Sequence, residues 1–251
     1  MELSHKAAVE VMQALKKQLK PSIKSDIVIC PSYPSLPAIA EALRQTKVIA
    51  VGAQNVYHQE KGAVTGAVSV IQIKPFVEWC IIGHSEQRLL TGESDEQVLQ
   101  KANLLLQHGL QPIICLGESA AEREADQTVE KITRQMDTLL AGTERSSLPK
   151  MVWCYEPIWA ISAVRTRPMP DPQDISQIVM LIRKCIAHRF DSDIVERVRI
   201  LYGGSVSEKN VVQYVGEPGV DGVLVGSTSL HPRQFVEIVE RGEKAWYAKN
   251  G

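Results

Sequence analysis

The sequence predicts a single parallel α/β barrel of the (β/α)8 type that lacks its first strand. Three observations lead there. Short runs rich in β-branched residues recur seven times, they are apolar throughout rather than alternating, and most are separated by stretches of helical periodicity. Strands buried on both faces that alternate with helices imply βαβ units around a parallel sheet.

The chain opens on a helix, with Ala8, Met12, Leu15 and Leu19 on one face and no strand ahead of it. The apolar runs then follow at 26–30 (DIVIC), 47–51 (KVIAV), 79–83 (WCIIG), 111–116 (QPIICL), 151–156 (MVWCYE), 198–202 (VRILY) and 220–225 (VDGVLV). Val98, Ala102, Leu105 and Leu106 mark a helix before the fourth run, and Ile175, Ile178, Val179 and Ile182 one before the sixth. By count alone, seven units also suit an open doubly wound sheet. No G-x-G-x-x-G or G-x-x-x-x-G-K-[ST] follows the first run, so the nucleotide signatures of that fold are missing and the barrel is favoured. Residues 1–251 read as one domain, with 243–251 as a C-terminal tail.

Composition narrows the function classes. With 44% apolar and 23% charged residues, and 16 glycines and 13 prolines, the chain is neither disordered nor collagen-like. Its 28 basic and 29 acidic side chains give a net charge of -1, with no electrostatic footprint for nucleic acid or an anionic membrane. An anionic ligand has to be met by local groups. The five cysteines are odd in number and form no C-x-x-C pair, which suits reduced thiols in a cytoplasmic protein. No run reaches membrane-span length, and the first residues lack the apolar core of a signal peptide.

Ligands of parallel α/β folds sit at the carboxyl ends of strands. There the sequence places His84-Ser85-Glu86 after the third run, Glu156-Pro157 and Trp159 after the fifth, Gly203-Gly204-Ser205 after the sixth and Gly226-Ser227 after the seventh. An imidazole such as His84 can donate or accept a proton near neutral pH, and a partly desolvated carboxylate such as Glu156 suits a general base. A turn histidine satisfied by backbone and a solvated strand-end carboxylate are the blander alternatives. Small residues at 203–205 and 226–227 let backbone N–H groups approach a phosphate, or simply make tight turns. One histidine, one glutamate, two anion-binding loops and no metal-ligand spacing point to proton transfer on a small phosphorylated carbonyl compound, without metal or cofactor.

At these residues the sequence resembles the triosephosphate isomerase family. The motifs are Ala53-Gln54-Asn55, Lys61-Gly62-Ala63-Val64-Thr65-Gly66, Ile82-Gly83-His84-Ser85-Glu86, Gly92-Glu93-Ser94-Asp95-Glu96, Tyr155-Glu156-Pro157-Ile158-Trp159-Ala160-Ile161, Tyr202-Gly203-Gly204-Ser205-Val206, Val220-Asp221-Gly222 and Leu224-Val225-Gly226, in family order over about residues 26–240. The resemblance implies a TIM-type barrel and interconversion of glyceraldehyde 3-phosphate and dihydroxyacetone phosphate through an enediol(ate), in glycolysis and gluconeogenesis. It makes Glu156 the base and His84 a neutral electrophile, with Glu86 and Cys115 in supporting positions. Ser162, Ser205, Gly226 and Ser227 become the phosphate-binding residues. It also implies a homodimer through the 54–66 loop, whose Thr65 reaches the partner's site.

The sequence departs from the family in two places. The family's first strand ends in Asn-x-Lys-Met, and neither that Asn nor that Lys is present here, so weakened activity is expected from the missing positive charge. The family's lid sequence Gly-Thr-Gly-Lys is replaced by Ser162-Ala163-Val164-Arg165, followed by Pro168, Pro170 and Pro172, which predicts altered lid closure. For the tail, one reading pairs 245–248 as a strand in the vacant first position and brings Lys249 to the site as a substitute cation. The others are a helical extension or a mobile end. Isomerisation of another phosphorylated sugar, and a non-catalytic barrel with a binding or assembly role, stand as alternative functions.

Overall fold

The computed structural model describes residues 2–161 and 168–251. Seven parallel strands pair in chain order: β1 (Ile27–Ile29), β2 (Ile49–Ala53), β3 (Trp79–Ile82), β4 (Gln111–Leu116), β5 (Val152–Tyr155), β6 (Arg199–Tyr202) and β7 (Gly222–Val223). The helices are α1 (His5–Gln18), α2 (Leu36–Leu43), α3 (Val70–Ile73), α4 (Ser85–Thr91), α5 (Asp95–Gln107), α6 (Ala120–Glu124), α7 (Thr128–Ala141), α8 (Pro172–Arg189), α9 (Ser192–Val195), α10 (Val211–Val215) and α11 (Pro232–Asn250). A doubly wound sheet reverses its strand order at a switch point. Here the order never reverses, so right-handed crossovers set every helix on one face and curl the sheet into a TIM-type barrel wall.

The apolar runs divide between two layers. Outward-facing Val51, Ala53, Cys80, Ile82, Ile114, Leu116, Trp153, Tyr155, Ile200 and Tyr202 pack against helix residues such as Met12, Leu15, Val98, Leu105, Ile132, Met136 and Ile182. The alternate positions Trp79, Ile113, Cys115, Val152 and Cys154 fill the barrel interior, together with Val28, Ala50, Ile81, Leu201 and Leu224. Two-sided burial is what the unalternating runs demanded, and each fully buried Ile or Leu contributes about 1.5–3 kcal/mol.

The wall is incomplete where β7 and β1 face each other. Among the described residues β1 pairs with β2 alone and β7 with β6 alone. Helices α1 and α11 pack together on the outside of this seam. Lys20 pairs with Glu240 at 2.6 Å, and the Lys24 and Ser25 N–H groups donate to Glu243 Oε1 at 2.6 and 2.9 Å. The segment entering β1 is thus held by α11 rather than by a neighbouring strand.

The strand reading of 245–248 is corrected by the structure. These residues continue α11, with Ala245 and Trp246 packed on the same core as Phe235, Val236 and Ile238, so 243–251 is no separate tail. Lys249 donates from Nζ to the carbonyl oxygens of Val215, Glu217 and Val220, at 2.8, 3.0 and 2.6 Å. It therefore caps α10 and the turn leading into β7, at the amino end of that strand, and does not approach the carboxyl-end mouth. The helix runs on through Gly242, which packs closely on α10, where an added Cβ would lie 3.3 Å from Val211.

Candidate active site

At the end of β3, Gly83 takes φ +69, and a Cβ there would stand 2.8 Å from the Cys115 carbonyl oxygen. Only glycine makes this turn without strain. The turn sets His84 at the N-cap of α4, where Nδ1 accepts the Glu86 N–H at 3.3 Å. His84 Nε2 lies 2.8 Å from Glu156 Oε1, and the Ser85 N–H donates to Glu156 Oε2 at 2.9 Å. Glu156 sits one residue past β5, its N–H still bonded to the Leu116 carbonyl at 2.8 Å and its side chain 2% exposed. The two strand-end residues singled out from sequence are therefore in direct contact.

Burial works against protonation of His84, but the hydrogen bond and charge of Glu156 outweigh it and raise the ring to about 9. The Glu86 N–H pulls the other way, since it needs a free lone pair on Nδ1. The geometry places a proton on Nε2, donated to the carboxylate. An acid–base pair of this kind can take a proton from carbon while polarising an adjacent oxygen.

The remaining candidates take several positions. Cys115 lies directly beneath the pair, its thiol held well above the usual range first by its neighbour Cys154, then by burial and the Glu156 charge. Glu86 points outward, with a carboxylate oxygen 4.0 Å from His84 Nδ1 and a side chain 61% exposed. Ser205 is engaged with the Ala160 carbonyl through its N–H at 3.1 Å and Oγ at 2.8 Å. Gly226 opens the 3-10 turn Ser227–Leu230, whose first amides have no partners inside the turn. Thr228 Oγ1 donates to the Val206 carbonyl at 2.9 Å, which joins the Ser205 and Gly226-Ser227 loops side by side. Ser162 lies outside the described residues.

Gly203 and Gly204 have a packing reason of their own: added Cβ atoms would lie 2.6 Å from Cys154 Sγ and 2.1 Å from the Tyr202 hydroxyl. Sequence reasoning passed over Gly117 and Glu118. A Cβ at Gly117 would stand 2.0 Å from the Glu156 carbonyl oxygen, so this glycine lets the Glu156 backbone come close. Glu118 is fully buried and accepts from the Tyr155 hydroxyl at 3.0 Å and from Trp159 Nε1 at 2.8 Å. Burial raises its carboxyl, against the lowering effect of those bonds. It holds the segment on either side of Glu156. The signal was available, because Gly117-Glu118 also follows the end of a strand.

A sequentially wound parallel barrel with a buried Glu156–His84 contact and glycine-bearing turns at its carboxyl-end mouth has the build of a barrel enzyme for small molecules. The family is more particular. The profile of the triosephosphate isomerase family matches residues 1–242. Triosephosphate isomerase from Caldanaerobacter subterraneus subsp. tengcongensis is 37% identical over 239 residues, 94% of this chain and 94% of that protein. The enzyme of the same name from Dictyoglomus thermophilum is 38% identical over 218 residues, 86% of each chain, and that from Thermoanaerobacter pseudethanolicus is 35% identical over 240 residues, 95% of each. The chain belongs to the triosephosphate isomerase family, a family of isomerases that act on small phosphorylated substrates. No helix among the described residues is long and apolar enough to cross a membrane.

Proposed function

We propose that the protein interconverts glyceraldehyde 3-phosphate and dihydroxyacetone phosphate, in the cytoplasm, as a step of glycolysis and gluconeogenesis. The observation that carries this reading is the contact between a 2% exposed Glu156 and His84 Nε2 at 2.8 Å. On substrate binding Glu156 leaves His84 and Ser85, takes a proton from the carbon beside the carbonyl and returns it to the neighbouring carbon. The His84 Nε2–H donates to the carbonyl oxygen and stabilises the enediol(ate); acid–base assistance of this kind is worth about 100- to 10,000-fold in rate. The phosphate is received by backbone amides at Gly226-Ser227 and at Ser205, which must first release the Ala160 carbonyl, with Ser162 as the lid's donor.

A coupled assay of the purified chain with glyceraldehyde 3-phosphate, beside a Glu156→Asp control, tests the reading. Turnover that falls with Glu156→Asp supports it; equal rates, or turnover only with a different phosphorylated sugar, overturn it. The unpaired edges of β1 and β7 favour a second reading, a non-catalytic barrel with a binding or assembly role, which absence of turnover on every phosphorylated sugar would support. Dimerisation through the 54–66 loop is supported by the exposed residues 59–66, with Val64 37% and nearby Ile71 40% exposed. Sedimentation equilibrium that gives a monomer at micromolar concentration contradicts it.

A further inference from the structure

The barrel interior holds two thiols that the isomerase reading leaves without a joint task. Cys115 of β4 and Cys154 of β5 are direct partners in the parallel register, and both side chains belong to the interior cluster. Both are fully buried and unbridged. Neighbouring strands run about 4.8 Å apart. That separation falls within the roughly 4.4–6.8 Å between Cα atoms that a disulfide spans. Barrel curvature brings inward-pointing side chains closer still. Gly203 on the next strand makes the room for the Cys154 sulfur, which an added Cβ would approach to 2.6 Å. Of the remaining cysteines, Cys80 faces the helix layer and Cys185 lies on α8, while Cys30, just past β1, is partly buried and feels the charge of Cys115 without being its register partner.

The interior residues Val28, Ala50, Ile81, Leu201 and Leu224 around the thiols keep some exposure. We propose that Cys115 and Cys154 form a dithiol that a peroxide closes to a disulfide beneath the Glu156 carboxylate. One thiolate attacks a peroxide oxygen and becomes a sulfenic acid, with hydroxide as leaving group. The second thiolate then attacks that sulfur and displaces its oxygen as a second hydroxide. With the two thiol protons the sum is two thiols and one hydrogen peroxide giving one disulfide and two waters; sulfur is oxidised and peroxide reduced. Burial keeps the thiols protonated, so closure is slow beside that of an exposed low-pKa cysteine.

The consequence for activity rests on the role proposed for Glu156. Cys154 and Glu156 stand two residues apart, on the same face at the end of β5, and a disulfide brings the sulfurs to about 2.05 Å from thiol contact. A shift of about 1 Å in a positioned group costs on the order of 100-fold in rate. The expected loss on closure is about 10- to 100-fold.

The test treats the intact protein with hydrogen peroxide, blocks free thiols under denaturing conditions, and reads intact mass and peptide maps beside turnover of glyceraldehyde 3-phosphate. Expected are two fewer blocking groups per chain than in the untreated protein, a cross-linked 115–154 peptide, a loss of turnover in that range and recovery with dithiothreitol. Cys154→Ala and Cys154→Ser should keep the starting turnover and resist the peroxide. A cross-link to Cys30, sulfinic acid at Cys115 without a cross-link, or an unchanged mass overturns the dithiol. A 115–154 cross-link with full turnover overturns the effect on Glu156. The mass readout decides the dithiol even for a chain without isomerase activity, so failure of the proposed function is recognised separately.

Discussion

The two sides of the barrel wall are built from similar sequence and end in different states. From β3 to β6 each strand is four to six residues long, paired on both sides and mostly buried. At the seam, β1 keeps three residues and β7 two, and Val28, Val223 and Leu224 remain partly exposed. The runs DIVIC and VDGVLV are as apolar as WCIIG or QPIICL. What differs is the neighbour. A strand with one partner leaves a row of N–H and C=O groups unpaired, so the ladder ends early however favourable the residues are.

Core substitution gives the largest test of this contrast. Ile114→Ala, on β4 and fully buried, is expected to cost about 2–5 kcal/mol in chemical denaturation, while Leu224→Ala beside β7 costs about 1 kcal/mol. Equal costs would mean that the seam is closed in solution. Amide exchange should follow the same line, with β3 to β6 protected and β1 and β7 exchanging first.

The next effect is on pH dependence at the well-built side. His84 is raised from 6.5 to about 9 by Glu156, despite burial. A raised pKa in the folded state adds stability that is fully present below pH 6.5 and is lost as pH climbs through about 9. Glu156→Gln removes the largest raising charge and leaves burial against the smaller pulls of Cys115 and Glu86, so the ring should titrate well below 9 by NMR, and most of the loss of stability through that range should vanish. A midpoint still near 9 in that variant would show that another group raises the ring.

A smaller effect is expected at the seam's outer cover. Lys249→Met removes three bonds to carbonyls while keeping an apolar stem, and should lower stability by about 1 kcal/mol with turnover unchanged. A loss of turnover without a loss of stability would return Lys249 to the mouth.

Much of this was legible in the chain itself. Unalternating apolar runs separated by helical stretches specified buried parallel strands, because two-sided burial leaves no polar positions to alternate with. Polar residues directly after those runs, His84 and Glu156 above all, marked the mouth, since strand carboxyl ends are where a parallel fold presents its loops. Strand pairing, in contrast, is a long-range matter. Only the folded chain brings Glu156 from β5 onto the N-cap of α4, sets Cys115 opposite Cys154, and buries Glu118 under Tyr155 and Trp159. Lys249 shows the same limit. Its local sequence fits a strand or a helix, and the choice was made by the carbonyls of Val215, Glu217 and Val220 and by the packing of Trp246, all supplied by segments distant in the chain. Periodicity decides which face of an element is apolar, whereas the partner that face meets depends on contacts between residues far apart in sequence, which only the tertiary structure supplies.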